Sequence, residues 1–129
     1  MKNIVEINSG AYQIYLELSR DCKIQIGVLG KFTFKKGKYV YTGSAMKNLL
    51  QRVARHKSKS KKIKWHIDYL LACRYAKINE IAVYPSLEKK ECELNMELVN
   101  RSKVTVPVPN FGSSDCRSCP AHLVYLENV

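Results

Sequence analysis

No stretch of the 129-residue chain approaches the roughly 18 to 20 consecutive apolar residues that a membrane-spanning helix needs. The N-terminal MKNIVEINSG also lacks the apolar core of a secretion signal. A soluble, cytoplasmic protein is the expectation. Cysteine is too sparse for a disulfide framework: Cys22, Cys73, Cys92, Cys116 and Cys119 form an odd, irregularly spaced set, which suits free thiols in a reducing compartment. The most telling absence is of acid. Residues 22–67 contain 13 Lys and Arg and no Asp or Glu, while the rest of the chain holds 9 basic against 11 acidic residues. The formal charge of +11 therefore sits in one contiguous third. Hydrophobic content of 46% with 26% charged residues excludes disordered, collagen-like and coiled-coil classes. One domain over residues 1–129 is expected, ending in an irregular Cys-containing tail at about 104–129.

Residues 11–18 alternate with a period of two, Tyr12, Ile14, Leu16 and Leu18 on one side and Gln13 and Glu17 on the other, which predicts a strand with one buried face. Alternation resumes through Ile24, Ile26 and Val28, then Phe32 to Phe34, then Tyr39 to Tyr41, with Gly30 and Gly37 as breaks. The first 43 residues thus read as a β-meander. The period then turns helical. Ser44 is a candidate N-cap, and Met46, Leu49, Leu50 and Val53 form a stripe, with Arg52, Arg55 and His56 off it. A polar, cationic link at 57–64 precedes a second helix at 65–74; a strand at 81–84 and a third helix from Ser86 to about Arg101 follow. The fold class is α+β: a small, mainly antiparallel sheet flanked by helices.

Dense positive charge without carboxylates raises local potential and releases counterions from a nucleic-acid backbone. Nucleic acid is thus the expected partner, contacted by Lys47, Arg55, Lys57, Lys59, Lys61, Lys62 and Lys64. Trp65 and His66 follow the cationic link directly, and the choice between packing and nucleic-acid contact stays open for them. On the third helix Glu91 falls within the stripe Leu87, Leu94 and Leu98, whereas Glu93 and Glu97 face solvent. A carboxylate there must be ion-paired, hydrogen-bonded or bound to a hard cation such as Mg²⁺ or Mn²⁺. In the tail, Cys116, Cys119 and His122 are one ligand short of a structural zinc site, so packed free thiols are expected instead.

Gly10-Ala11-Tyr12, then Tyr41-Thr42-Gly43, then Arg52 and His56 on the next helix, then Glu91 on a later one, resemble the GIY-YIG endonuclease superfamily in order and residue type. The segments WHIDYLL at 65–71 and FGSSDC at 111–116 resemble its Uri-type branch, domain-of-unknown-function family 123, and the resemblance covers nearly the whole chain. Ala11 and Thr42 stand where the motif has isoleucines. The longer spacing between half-motifs reads as an inserted hairpin at 23–34. The resemblance implies metal-dependent hydrolysis of a DNA phosphodiester. Tyr12 would take the proton of the attacking water, Glu91 would hold one Mg²⁺ or Mn²⁺, and Arg52 would stabilise phosphorane charge. Tyr41 and His56 would orient water and phosphate. Glu88 is the alternative to Glu91, and Asn100 the candidate for the family's late asparagine. A second function class on the same fold is a weakly catalytic or non-catalytic nucleic-acid-binding module in a repair or processing complex.

Overall fold

A computed structural model describes residues 8–58, 62–87, 91–100, 104–109, 111 and 121–126. Its centre is a five-stranded antiparallel sheet in the order β5-β1-β4-β7-β6, formed by β1 (Gly10–Leu18), β4 (Gly37–Ala45), β5 (Ala76–Pro85), β6 (Val104–Thr105) and β7 (Leu123–Leu126). The inserted segment is a separate two-stranded sheet, β2 (Cys22–Ile26) with β3 (Gly30–Phe34). Three helices complete the described structure: α1 (Leu49–Lys57), α2 (His66–Leu71) and α3 (Glu91–Asn100). The α+β class is as expected, and no helix among the described residues is long and apolar enough to cross a membrane.

The first 43 residues are not a meander. Strands β1 and β4 pair directly, Tyr12 opposite Gly43 and Ile14 opposite Tyr41, so the hairpin between them is ejected from the main sheet. Alternation predicts strands but carries no information on which strand each will meet. Tyr12, Ile14, Leu16 and Leu18 from β1 meet Tyr39 and Tyr41 from β4 in one core with Leu49, Val53, Ile67, Leu70, Phe34 and Phe111. On the other side of β1, Gln13 Nε2 donates to Thr42 Oγ1 at 3.1 Å, with both residues buried.

Helix α1 starts later than Ser44. The chain stays in β4 through Ala45 because Ser44 and Ala45 pair with Ala11 and Gly10. Asn48 then turns left-handed (φ 58°) as the N-cap. The first helical amides are satisfied from outside, Leu49 N by the Asn8 carbonyl (3.1 Å) and Leu50 N by Asn8 Oδ1 (2.8 Å). This phase buries Leu49, Val53 and His56 and leaves Leu50 and Met46 exposed, so His56 lies on the buried stripe rather than off it. Helix α2 is shorter than residues 65–74. Its Asp68 carboxylate accepts from the Trp65 amide (3.0 Å), closing the N-terminus in capping-box fashion.

Strand β5 is longer than 81–84, with a bulge opposite Tyr15 and Leu16. Ser86 does not open α3; it is bound to Ser9 through its amide (2.9 Å) and its carbonyl, which accepts from Ser9 Oγ at 2.7 Å. Leu87 is exposed in a bend. The stripe assigned to α3 therefore loses its first member, and Asn95 is the buried polar residue of that helix, its Nδ2 donating to the Ala121 carbonyl at 2.6 Å. The tail is not wholly irregular either. Strand β7 inserts beside β4, and Thr42 N donates to the His122 carbonyl at 2.9 Å. Cys116 and Cys119 lie outside the described residues, and His122 is buried.

Candidate functional site

Both half-motif glycines have steric reasons. Tyr12 lies directly across from Gly43, and a Cβ on Gly43 would stand 2.6 Å from Tyr12 Oη and 2.7 Å from its Cζ. The glycine of the second half-motif is thus the floor under the tyrosine of the first. Gly10 has φ +140°, and a side chain there would run into the backbone of Tyr84 and Pro85 at the end of β5 and of Ser86 just after it.

With the floor cleared, Tyr12 Oη comes within 2.7 Å of His56 Nε2, a buried hydrogen bond linking β1 to α1. Tyr12 is 2% exposed and His56 1%. The rings of Tyr12 and His56 are 5.2 Å apart; Tyr41 lies 6.5 Å from Tyr12 and 6.4 Å from His56, and is 7% exposed. Four sequence-predicted residues, Tyr12, Tyr41, Arg52 and His56, gather here through His56 and its neighbour Trp65, whose ring is 5.8 Å away. Arg52 lays its guanidinium 4.4 Å from the centre of that ring and donates to the Ser44 carbonyl at 3.1 Å.

Trp65 carries more charge than sequence reading assigned to it. Arg52 and Arg55 both stand 4.4 Å from its ring centre, and Lys64 Nζ stands 4.8 Å away. Arg55 is neutralised. Its Nη1 and Nη2 reach the two oxygens of Asp68 at 3.1 and 2.9 Å, and its Nη2 also donates to the Lys62 carbonyl at 2.6 Å. Asp68 is fully buried and also accepts from the amides of Lys64 (2.9 Å) and Trp65 (3.0 Å). Burial alone would raise its pKa. The Arg55 hydrogen bonds, the two amides and the Arg55 charge outweigh that and hold the carboxyl below its ordinary value. Arg52 makes no ion pair among the described residues. Of two arginines on one tryptophan, one is structural and one keeps its charge available.

The remaining predicted contacts divide. Lys47, Lys57, Lys62 and Lys64 are exposed, with Lys64 beside Trp65 and Lys57 beside β5, and Lys59 and Lys61 lie outside the described residues. Glu91 is the first residue of α3, which packs on β1 and β4, but its side chain and that of Asn100 lie outside what is described, as does Glu88. Among the described residues no three His, Cys, Asp or Glu side chains are grouped to hold a metal. His66 packs against Phe111 at 5.5 Å, and burial lowers its pKa.

A family model described as "Domain of unknown function DUF123" matches residues 11–129. The chain belongs to this family. No curated protein and no solved structure matches it. The DUF123 match spans both half-motif tyrosines, Arg52, His56, the Trp65 platform, Glu91 and β7, and starts one residue after Gly10. The pairing of Asp68 with Arg55 was what sequence reading missed. Asp68 is the first carboxylate after the acid-free segment, and that position was its only signal.

Proposed function

We propose that this DUF123 chain is a metal-dependent endonuclease that hydrolyses DNA phosphodiester bonds by GIY-YIG-type chemistry. The observation that carries the reading is the 2.7 Å contact between Tyr12 Oη and His56 Nε2 beside an arginine whose charge is not consumed. A phenol in water is a poor base, with a pKa of about 10. Here, with His56 neutral and its proton on Nδ1, Nε2 accepts the Tyr12 proton while the phenolic oxygen takes one from the attacking water. The water oxygen bonds to phosphorus and the bridging oxygen leaves. Arg52, fixed by Trp65 and the Ser44 carbonyl, donates to the charge that develops on the phosphoryl oxygens. This gives His56 the task of relaying Tyr12's proton rather than orienting phosphate. Tyr41, the least buried of the three rings, lines the approach.

Asp68 is consumed by Arg55 and two amides, and the resemblance assigns the divalent ion to Glu91, a hard oxygen donor at the start of a helix packed on the Tyr12 and Tyr41 strands. A bound Mg²⁺ or Mn²⁺ would offset negative charge on the scissile phosphate. The burial of Tyr12 and His56 favours a second reading, a nucleic-acid-binding module in a repair or processing complex in which this pair is a core hydrogen bond.

A nicking assay on supercoiled, branched and single-stranded DNA with Mg²⁺ or Mn²⁺ separates the two. Cutting by wild type that is lost in Glu91→Ala and Tyr12→Phe supports the nuclease. Binding without cutting supports the module, and variants that cut like wild type remove Tyr12 and Glu91 from the chemistry.

A further inference from the structure

The inserted hairpin has two unlike faces. Cys22, Ile26 and Phe34 are buried, and Ile24 and Phe32 pack half-buried against the core; Phe34 is clasped by Tyr39 and Phe111 at 6.2 and 6.4 Å. The opposite face consists of Lys23, Gln25, Lys31 and Thr33, all exposed. Lys23 faces Thr33 and Gln25 faces Lys31, so the two lysines are never directly opposed. At the tip a 3-10 turn (Gly27–Leu29) holds Val28 fully clear of the protein, and Gln25 Nε2 clamps the turn through the Gly27 carbonyl at 2.6 Å. Lys35 and Lys36 are exposed at the base.

This ribbon is fixed relative to the candidate site. Gly27, at φ +50°, sits against the Tyr69 ring, where a side chain would come 3.0 Å from its hydroxyl. Tyr69 is one helical turn along α2 from Trp65. The hairpin therefore stands beside the cation cluster on a common helix, braced on one face and open on the other.

We infer that the exposed face of the β2–β3 ribbon docks in the major groove of B-form DNA and holds the duplex against the Arg52 site. The inference rests on the nucleic-acid reading above. Its own support is charge and shape. A solvated antiparallel face ordinarily mixes both signs, whereas this one carries only lysines, amides and hydroxyls within the acid-free third. Five-residue strands give a ribbon about 16 Å long. The B-form major groove, about 12 Å wide, admits a two-stranded ribbon, while the deep, narrow A-form groove does not. Lys and Gln match purine acceptor and donor edges, Thr can bond or pack on a thymine methyl, and Lys35 and Lys36 are positioned for flanking phosphates.

The test uses the full chain and fluorescence anisotropy with a DNA duplex of about two helical turns and an RNA duplex of the same sequence, across salt concentration. Wild type is expected to prefer the DNA duplex. Lys35→Ala/Lys36→Ala, with an unchanged melting temperature, should flatten the slope of log affinity against log salt by about 1.8, or 0.9 per lost phosphate contact, and Lys23→Ala/Lys31→Ala, equally stable, should erase the DNA preference. Gln25→Ala/Thr33→Ala should reduce the DNA preference with little change in slope, and Lys77→Ala on β5 should leave both unchanged. An unaltered slope and preference in the ribbon variants, with wild type still binding DNA, overturns the ribbon and spares the nucleic-acid reading. Equal binding of both duplexes by wild type overturns groove docking. Absence of binding to either duplex overturns both.

Discussion

Replacing Tyr12 by Phe removes one oxygen from the middle of the site and nothing else. The ring still fills the space above Gly43, so no cavity term arises. What changes is that Nε2 of an imidazole only 1% exposed loses its 2.7 Å partner. A buried polar atom deprived of its hydrogen bond costs about 1–3 kcal/mol. For a chain of this length, between the sizes for which the scaling is tabulated, each kcal/mol lowers Tm by about 3–5 °C, so a fall of at least about 3 °C is expected. Under the nuclease reading the nicking rate should fall far more than stability accounts for, by about 10²- to 10⁴-fold, because the proton acceptor is gone. A double-mutant cycle with His56→Ala isolates the pair: single and double variants should be non-additive by about 0.5–1.5 kcal/mol in urea melts, the net worth of one hydrogen bond. Additivity within about 0.3 kcal/mol would refute the Tyr12–His56 bond and the relay built on it.

The two arginines on Trp65 should respond in opposite ways. Arg55→Ala strands the Asp68 carboxylate and should cost about 3 kcal/mol, at the lower end for a broken buried pair because two amides still solvate it; Arg52→Ala should barely move Tm but weaken DNA binding, and equal effects on both quantities would contradict the division. The pH dependence follows from Asp68: its folded pKa is lowered, so its stabilisation is present above the unfolded value of about 3.9 and is lost as pH falls through the folded one. In acid melts that loss should be visible in wild type and flattened in Arg55→Ala. Cys22 Sγ lies 3.4 Å from Cys73 Sγ, and burial, reinforced by Cys73, pushes the Cys22 thiol up to about 11. At about pH 8 iodoacetamide should therefore label the partly exposed Cys73 well before Cys22, as read by peptide mass spectrometry; equal rates would show that Cys22 is not so protected. Gly43→Ala should destabilise by about 1–3 kcal/mol through overpacking against Tyr12, and Tyr12→Phe should not rescue it because Cζ is as close as the hydroxyl.

Period-two alternation was enough to find β1, the hairpin and β4, although only the hairpin strands keep one face exposed, since β1 and β4 also bury Gln13, Val40 and Thr42 on the side away from the core. It could not find β7. Four residues of mostly apolar sequence carry no alternation, and their partner Tyr41 lies 82 positions earlier than Leu123. The misphasing of α1 has a different origin. Leu50 looks like core and His56 like surface, yet the helix starts where Asn8, from before β1, supplies its first acceptors. His56 is buried because Tyr12, 44 positions away, satisfies it. Hydropathy scores a residue alone, whereas burial of a polar residue depends on its partner. The candidate site was legible as an ordered set of residue types. The tasks of Trp65 and Asp68 were not, since both depend on a junction between α1 and the N-terminus of α2 that no local pattern encodes.

The acid-free third therefore contains three kinds of positive charge. Arg55 is neutralised by Asp68, a carboxylate just beyond that segment, and its task is to tie α1 to α2. Arg52 shares the same tryptophan and, among the described residues, bonds a backbone carbonyl and no carboxylate. The described lysines of the ribbon and the link, Lys23, Lys31, Lys57, Lys62 and Lys64, are exposed. A uniform cationic surface would bind any polyanion in any orientation. Here the planar guanidinium of Arg52 is held beside the Tyr12–His56 pair, while the ribbon lysines, fixed on the same helix through Tyr69, define a direction of approach. On the proposed function, orientation, more than affinity, is what this distribution would supply. Under the proposed nuclease reading, hydrolysis of one phosphodiester among many in a duplex would draw on that selectivity, while the Arg55–Asp68 pair joins α1 to α2 under either reading.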